Sequence, residues 1–217
     1  MNKRAIVTCG VSNRRLFTPY LERFRDTFSE FGCADYIKIF HKNWPPGSPD
    51  HGTVNYGFKV FAVLDMWQKG FDSILWLDSS CHAIRPLLDM WTHLEKEGHI
   101  LISDANRLGN YSSDNSLATF GMSRDDAMNL KIQCGTCWGV NMKNERSVEF
   151  IRRLRSYATP EHFNGTHVSR LPGAAVKHPR PGTDGFKLSD DERCWGHRSD
   201  EVYMQLVGNE LGMDLHN

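Results

Sequence analysis

The stretch Ile74-Leu75-Trp76-Leu77-Asp78-Ser79-Ser80 does most to limit what this chain can fold into. Four apolar residues follow Gly70 and Asp72 and run into an acid and two hydroxyls, the pattern of a short buried strand bounded by turns. Its side chains turn polar where it ends, so Asp78 stands at the carboxyl end. In open α/β sheets, ligands bind at that end. An acid beside hydroxyls there suits a hard divalent cation and the diphosphate it neutralises.

Residues 4–9, 35–40, 99–103 and 134–142 read as further strands, and 213–216 is a candidate for a last one. Helical spacing of apolar residues marks 17–31 (Phe17, Tyr20, Leu21, Phe24, Phe28), 56–69 (Val60, Val63, Leu64, Trp67), 86–98, 144–157 and 199–211. The proline-rich 42–53 reads as a loop, and so does 104–132, with a short helix at 123–130. Residues 158–197 show little periodicity, and a segment that long inside a compact domain is a lid or binding loop. The alternation predicts one α/β domain over 1–217, Rossmann-like, with a mostly parallel central sheet flanked by helices on both faces. The last element ends close to Asn217, as in the N-terminal part of a longer protein.

At 217 residues the chain can bury roughly 70% of its unfolded surface without staples. Its 26 basic residues balance its 26 acidic ones, which speaks against bulk nucleic-acid or membrane electrostatics. No apolar run approaches the ~20 residues of a membrane span, and Ala5-Ile6-Val7 is too short for a signal peptide. A cytoplasmic monomer is expected. Cys134-Gly135-Thr136-Cys137 invites a zinc or redox reading, but no second CxxC accompanies it, and small buried thiols are the better account. There is no P-loop, no GxGxxG after the first strand and no GxSxG elbow.

Three segments, in order, resemble GT-A-fold glycosyltransferases. Asn55-Tyr-Gly-Phe-Lys59 followed by Gly70-Phe-Asp-Ser-Ile-Leu-Trp-Leu-Asp78-Ser-Ser80 resembles their helix with a basic residue leading into a DxD strand. Cys134-Gly-Thr-Cys-Trp-Gly-Val-Asn-Met142 resembles a later strand, and His197-Arg-Ser-Asp200-Glu201 resembles the start of their acid-amide helix. Within that family the chain is similar to viral members that build capsid glycans, in which case the compartment would be the host cytoplasm. The resemblance implies a metal-dependent, retaining transfer of a hexose or deoxyhexose from a UDP-sugar to a glycan or glycoprotein hydroxyl, with Mn2+ or Mg2+ as cofactor. It implies that Thr8, Cys9 and Gly10 contact base and ribose, that Asp78 contacts the ribose and the metal, that Ser79 and Arg107 belong to the donor site, and that Lys59 faces the diphosphate. Ser80 stands where the second acid of DxD belongs, a neutral and weaker ligand. Asp200 and Glu201 match the pair under the anomeric carbon. The remaining metal ligand is expected from His216 first, with His197, Asp190 and Asp191 behind it. Asp104, Asn106 and Arg107, after a strand end, could hold sugar hydroxyls or the diphosphate.

Plainer readings stand beside these. Asp78 could be a turn residue, Lys59 a solvated helix residue, and Ser199-Asp200-Glu201 only an N-cap with two acids favouring the helix dipole. Trp76 and Trp138 read as core. A sugar nucleotidyltransferase is an alternative function, though Gly10-Val-Ser-Asn-Arg-Arg is a poor match to its glycine-rich loop. A non-catalytic nucleotide- or carbohydrate-binding module is another.

Overall fold

The structure is a computed structural model and describes residues 2–11, 14–164 and 189–216. Five strands form one sheet in the order β2-β1-β3-β5-β4. They are β1 (Arg4–Cys9), β2 (Tyr36–Phe40), β3 (Ser73–Leu77), β4 (His99–Arg107) and β5 (Lys131–Asn141). β1 pairs in parallel with β2 and β3, while β5 is antiparallel to both β3 and β4. Four strands therefore share a direction and β5 opposes them, so the sheet is mixed. β4 and β5 are neighbours in space and in sequence, and such a connection reverses direction.

The alternation of β1 and β3 sorts the core into two layers. Ala5, Val7, Ile74 and Trp76 pack with α2 (Phe58–Gln68), α6 (Glu145–Tyr157) and α8 (Ser199–Glu210). Ile6, Leu75 and Leu77 pack on the other face with Phe24 and Phe28 of α1 (Arg14–Glu30) and Trp91 and Leu94 of α3 (Leu88–Glu97). All five residues of β3 are buried, as a strand covered on both faces requires. Among the described residues no helix is long and apolar enough to cross a membrane.

The expected elements occur, with differences at the β4 side. β4 runs on to Arg107, and the segment read as loop holds two short helices, α4 (Asp114–Thr119) and α5 (Arg124–Asn129). Ser113 and Ser123 cap them by accepting from Ser116 N–H and Asp126 N–H. α7 (Pro160–Phe163) interrupts the start of the segment read as a binding loop, whose residues 165–188 lie outside the described residues. The last segment makes a single parallel bridge, His216 to Ile102, which covers the outer edge of β4.

β5 carries a bulge. Leu101 opposite Trp138 and Ser103 opposite Gln133 leave Cys134–Cys137 with more residues than β4 can pair. Gly139 sits beyond it, opposite both Leu75 and Ile100. A Cβ there would lie 2.5 Å from Leu75 Cδ2, 3.2 Å from Ile74 O and 3.3 Å from Leu94 Cδ2. Leu75 and Leu94 are fully buried and have nowhere to move. Gly139→Ala is therefore expected to destabilise the fold by about 1–3 kcal/mol through overpacking, read as a lower urea midpoint at unchanged slope.

Candidate functional site

β1 connects to β2 on one side, while β3 lies on the other, so a crevice opens at the carboxyl ends of β1 and β3. A cleft of about 480 Å3 occupies it. Cys9, Gly10 and Val11 form its β1 rim and Asp78, Ser79 and Ser80 its β3 rim. The cleft is also lined by aromatic rings: Phe58 lies 5.1 Å from Trp44, 5.6 Å from His51 and 5.8 Å from Trp76, centroid to centroid.

Asp78 is fixed from inside the protein through one oxygen. Its Oδ1 accepts from Trp76 Nε1 at 2.9 Å and lies 3.7 Å from Lys59 Nζ, while its N–H donates to Thr136 O at 2.8 Å. Its side chain is 36% exposed.

Beside it in the cleft wall, Lys59 is 4% exposed. It donates to Gly135 O at 2.9 Å, contacts Asp200 Oδ2 at 3.0 Å, and lies 4.9 Å from the Tyr56 ring centroid and 5.7 Å from that of Trp76. Burial alone would lower its pKa, but Asp200, Asp78 and Glu201 more than offset that and raise it. Asp200 moves the other way from a simple ion-pair partner. Burial pushes its carboxyl up, Lys59 pulls it back, and Glu201 and Asp78 push it up again. Three acids thus share one ammonium: the lysine stays charged and Asp200 is driven towards its protonated form. The Lys59 contact is an ion pair without hydrogen-bond alignment, so Asp200 Oδ2 is buried with no hydrogen-bond partner.

Glu201 continues the cluster. Its Oε1 accepts from Gly135 N–H at 2.9 Å, and its Oε2 lies 3.3 Å from Arg198 Nη1, which donates to Asp104 Oδ2 at 2.6 Å. Burial raises the Glu201 pKa against the pull of Gly135 N–H and Arg198. The β5 bulge supplies Gly135, whose two backbone groups hold Lys59 and Glu201. A Cβ there would lie 3.0 Å from both Glu201 Cγ and Lys59 Nζ. Tyr56 and Ser199, just before Lys59 and Asp200, have φ of 58° and 44°. Such left-handed non-glycine backbone costs about 1–3 kcal/mol and persists only where surroundings enforce it. Here it aims the two helix starts at each other.

No family model matches the chain, and no curated protein does. Among solved structures, it is similar to one described as a glycosyltransferase involved in the glycosylation of the major capsid of PBCV-1. The TM-score is 0.44 and the sequence identity 9%, over 71% of this chain and 65% of that chain. The chain thus spans less than two thirds of the length of that structure.

The structure brings together Cys9, Gly10, Lys59, Asp78, Ser79 and Ser80 at the cleft, with Asp200 and Glu201 behind Lys59. It does not bring the other expected residues there. Thr8 is fully buried within β1 and does not line the cleft. Arg107 is exposed at the end of the edge strand, paired with Lys131. His216 lies against β4 with its ring 4.3 Å from that of His93, away from Asp78. Asp191 is taken by Arg193 at 2.7 Å. Lys59 is neither solvated nor aimed at open solvent, because its ammonium is consumed by protein groups. Ser199 does not cap α8: its φ is 44° and its buried hydroxyl has no hydrogen-bond partner. The aromatic lining, Arg198 and the backbone of Gly135 were not expected. The signal for the first was Trp44 with the Tyr56-Gly57-Phe58 run.

His197 positions the start of α8. Its Nε2 donates to His162 O at 3.0 Å, leaving Nδ1 to accept from Ser113 N–H at 3.5 Å. Both nitrogens are engaged, so it is a structural group rather than a metal ligand. Burial pushes its pKa down from 6.5 to about 4, against the His162 carbonyl, which raises it. The unfolded chain therefore binds the proton first. Stability is full above pH 6.5 and is lost as pH falls towards 4, by roughly 3 kcal/mol at about 1.4 kcal/mol per unit. Asp200 and Glu201, whose pKa values are raised, tilt the profile the other way. The readout is thus a difference: His197→Gln should remove this acid loss relative to wild type in denaturation measured across that range.

Proposed function

We propose that this chain is a glycosyltransferase that moves a hexose or deoxyhexose from a UDP-sugar to a glycan hydroxyl, with retention of configuration. The observation that carries the reading is the cleft at the β1/β3 crevice, with Asp78 on its rim, Lys59 in its wall and Asp200 and Glu201 directly behind. The sequence resemblance to GT-A enzymes at the same three segments supports it. So does the aromatic lining, which offers apolar faces to a planar base. Viral capsid-glycan synthesis is the setting the sequence resemblance suggests.

The donor set suits a divalent cation in the company of a diphosphate. Asp78 makes its internal contacts through Oδ1, so Oδ2 is the oxygen available to a ligand. Ser80 is exposed beside it. One carboxylate plus substrate oxygens is a common way to hold Mg2+ or Mn2+. Asp78 and Ser80 would hold the ion, and its charge would neutralise the departing diphosphate. The remaining work falls to the chain. Gly10, whose Cβ position is filled by Leu21 and Phe17, keeps the β1 rim low against the donor. Lys59, in the cleft wall, holds Asp78 and Asp200 in register and sets its charge on the diphosphate's side of the cleft. Glu201, held by Gly135 N–H and Arg198, presents a fixed carboxyl towards the reacting sugar. Proton transfer from the acceptor needs no dedicated base if the leaving phosphate oxygen takes the proton.

Thermal shifts with UDP, GDP and CMP, each with and without Mn2+, test this. UDP with Mn2+ at 100 times its Kd should add about 2.7 kcal/mol, roughly 5–10 °C for a chain this size, and the other nucleotides far less. Asp78→Ala should abolish the shift; its unliganded melting point should fall below wild type, because Trp76 Nε1 and the Lys59 ammonium lose a partner. No shift with any nucleotide would sink the proposal. Slow metal-dependent hydrolysis of a UDP-sugar would exclude a mere binding module, and pyrophosphate release from a nucleoside triphosphate would favour a nucleotidyltransferase.

A further inference from the structure

His93 and His216 meet on the α3 face of the sheet, the face opposite the Lys59–Asp200 cluster. His93 belongs to α3, and His216 lies on the segment that bridges to Ile102 of β4. Their Nε2 atoms are 3.0 Å apart, with the rings nearly perpendicular at 86°. Metal–imidazole bonds are about 2.0–2.1 Å, so two nitrogens on one ion stand roughly 3.0 Å apart at a right angle and roughly 3.4 Å apart in a tetrahedron. The observed separation suits square or octahedral coordination, the preference of Ni2+ and Cu2+.

Carboxylates stand near. Glu97 is four residues after His93 on the same helix, hence on the same face. Its carboxylate pairs with Lys96 at 2.7 Å, exposed, a pair worth little. Asp214 lies on the His216 segment, and its carbonyl oxygen is 3.3 Å from His99 Nε2. His99 is thereby used, and its ring is 5.8 Å from that of His216. Among the described residues no group of three or more His, Cys, Asp or Glu side chains is placed to hold a metal ion, so the two rings are the only ligands already in position. The third protein ligand therefore requires Glu97 to leave Lys96 and turn.

We propose that His93 and His216, joined by Glu97, form a binding site for a late first-row divalent cation, separate from the nucleotide cleft. An ion there ties the C-terminal segment, which covers the edge of β4, to α3. A plain N–H···N bond between the two rings gives the same separation but no metal uptake.

Calorimetric titration with NiCl2 decides between them. The full chain carrying Asp78→Ala is used, so that the cleft's own acid does not contribute. One equivalent should bind. His93→Gln and His216→Gln should each weaken it by more than ~10-fold, Glu97→Gln should weaken it less, and His99→Gln should leave it unchanged. Cu2+ electron paramagnetic resonance should show two imidazole nitrogens in the parent and one in either single variant. That signature still decides if a substitution also perturbs the fold. No stoichiometric site, or a site that survives both substitutions, overturns the proposal. Nickel binding in an Asp78→Ala background is independent of UDP binding, so failure here leaves the proposed function standing, and the reverse.

Discussion

The buried ammonium of Lys59 is the contact on which the rest of the site depends. α2 brings it, β3 answers with Asp78, the β5 bulge with Gly135 O, and α8 with Asp200. A lone ion moved from water into a protein interior costs several kcal/mol, and partner loss leaves that cost uncompensated. Four elements far apart in sequence therefore have to arrive in register for any of them to be comfortable there. The arrangement is lopsided, with more carboxyls than ammonium groups. The excess negative charge is relieved by a proton on the acids, the direction in which Asp200 and Glu201 are both pushed.

The cluster is also held by features that cost stability elsewhere. A bulge breaks the β4–β5 ladder just where Gly135 must reach both Lys59 and Glu201. Two non-glycine residues sit in left-handed backbone at the two helix starts. Asp200 Oδ2 and Ser199 Oγ are buried without hydrogen-bond partners. Departures from local rules that gather in one place are the mark of a functional site. The rest of the sheet keeps its two-face alternation and has no left-handed non-glycine residue among the described residues, although Thr8 Oγ1 and Ser73 Oγ are also buried there without hydrogen-bond partners.

Much of the fold was legible because β1 and β3 are short, apolar and bounded by turn residues, and because α1 and α6 carry clear helical spacing. The position of Asp78 followed from the same pattern. The β5 bulge was not legible, since an extra residue in a strand leaves no mark on its composition. α4 was missed because Ser113, Asp114 and Asn115 read as loop chemistry, when Ser113 is a cap. The burial of Lys59 did leave a signal. The first turns of α2 are apolar nearly all round (Phe58, Val60, Phe61, Ala62, Val63), and a stretch of that kind is buried or half-buried on every side. A lysine within it has to be paired. His216 was read by its place near the chain end, and sequence position says nothing of which face of a sheet a terminal segment covers.

The bond from the Trp76 indole to Asp78 has an optical consequence. An indole's excited state is sensitive to nearby charge, and this one donates its N–H directly to the acid on the cleft rim. Trp44 stands on the same cleft. Whatever settles against Asp78 alters the field along that ring, so the protein's own emission spectrum records whether the cleft is empty or filled.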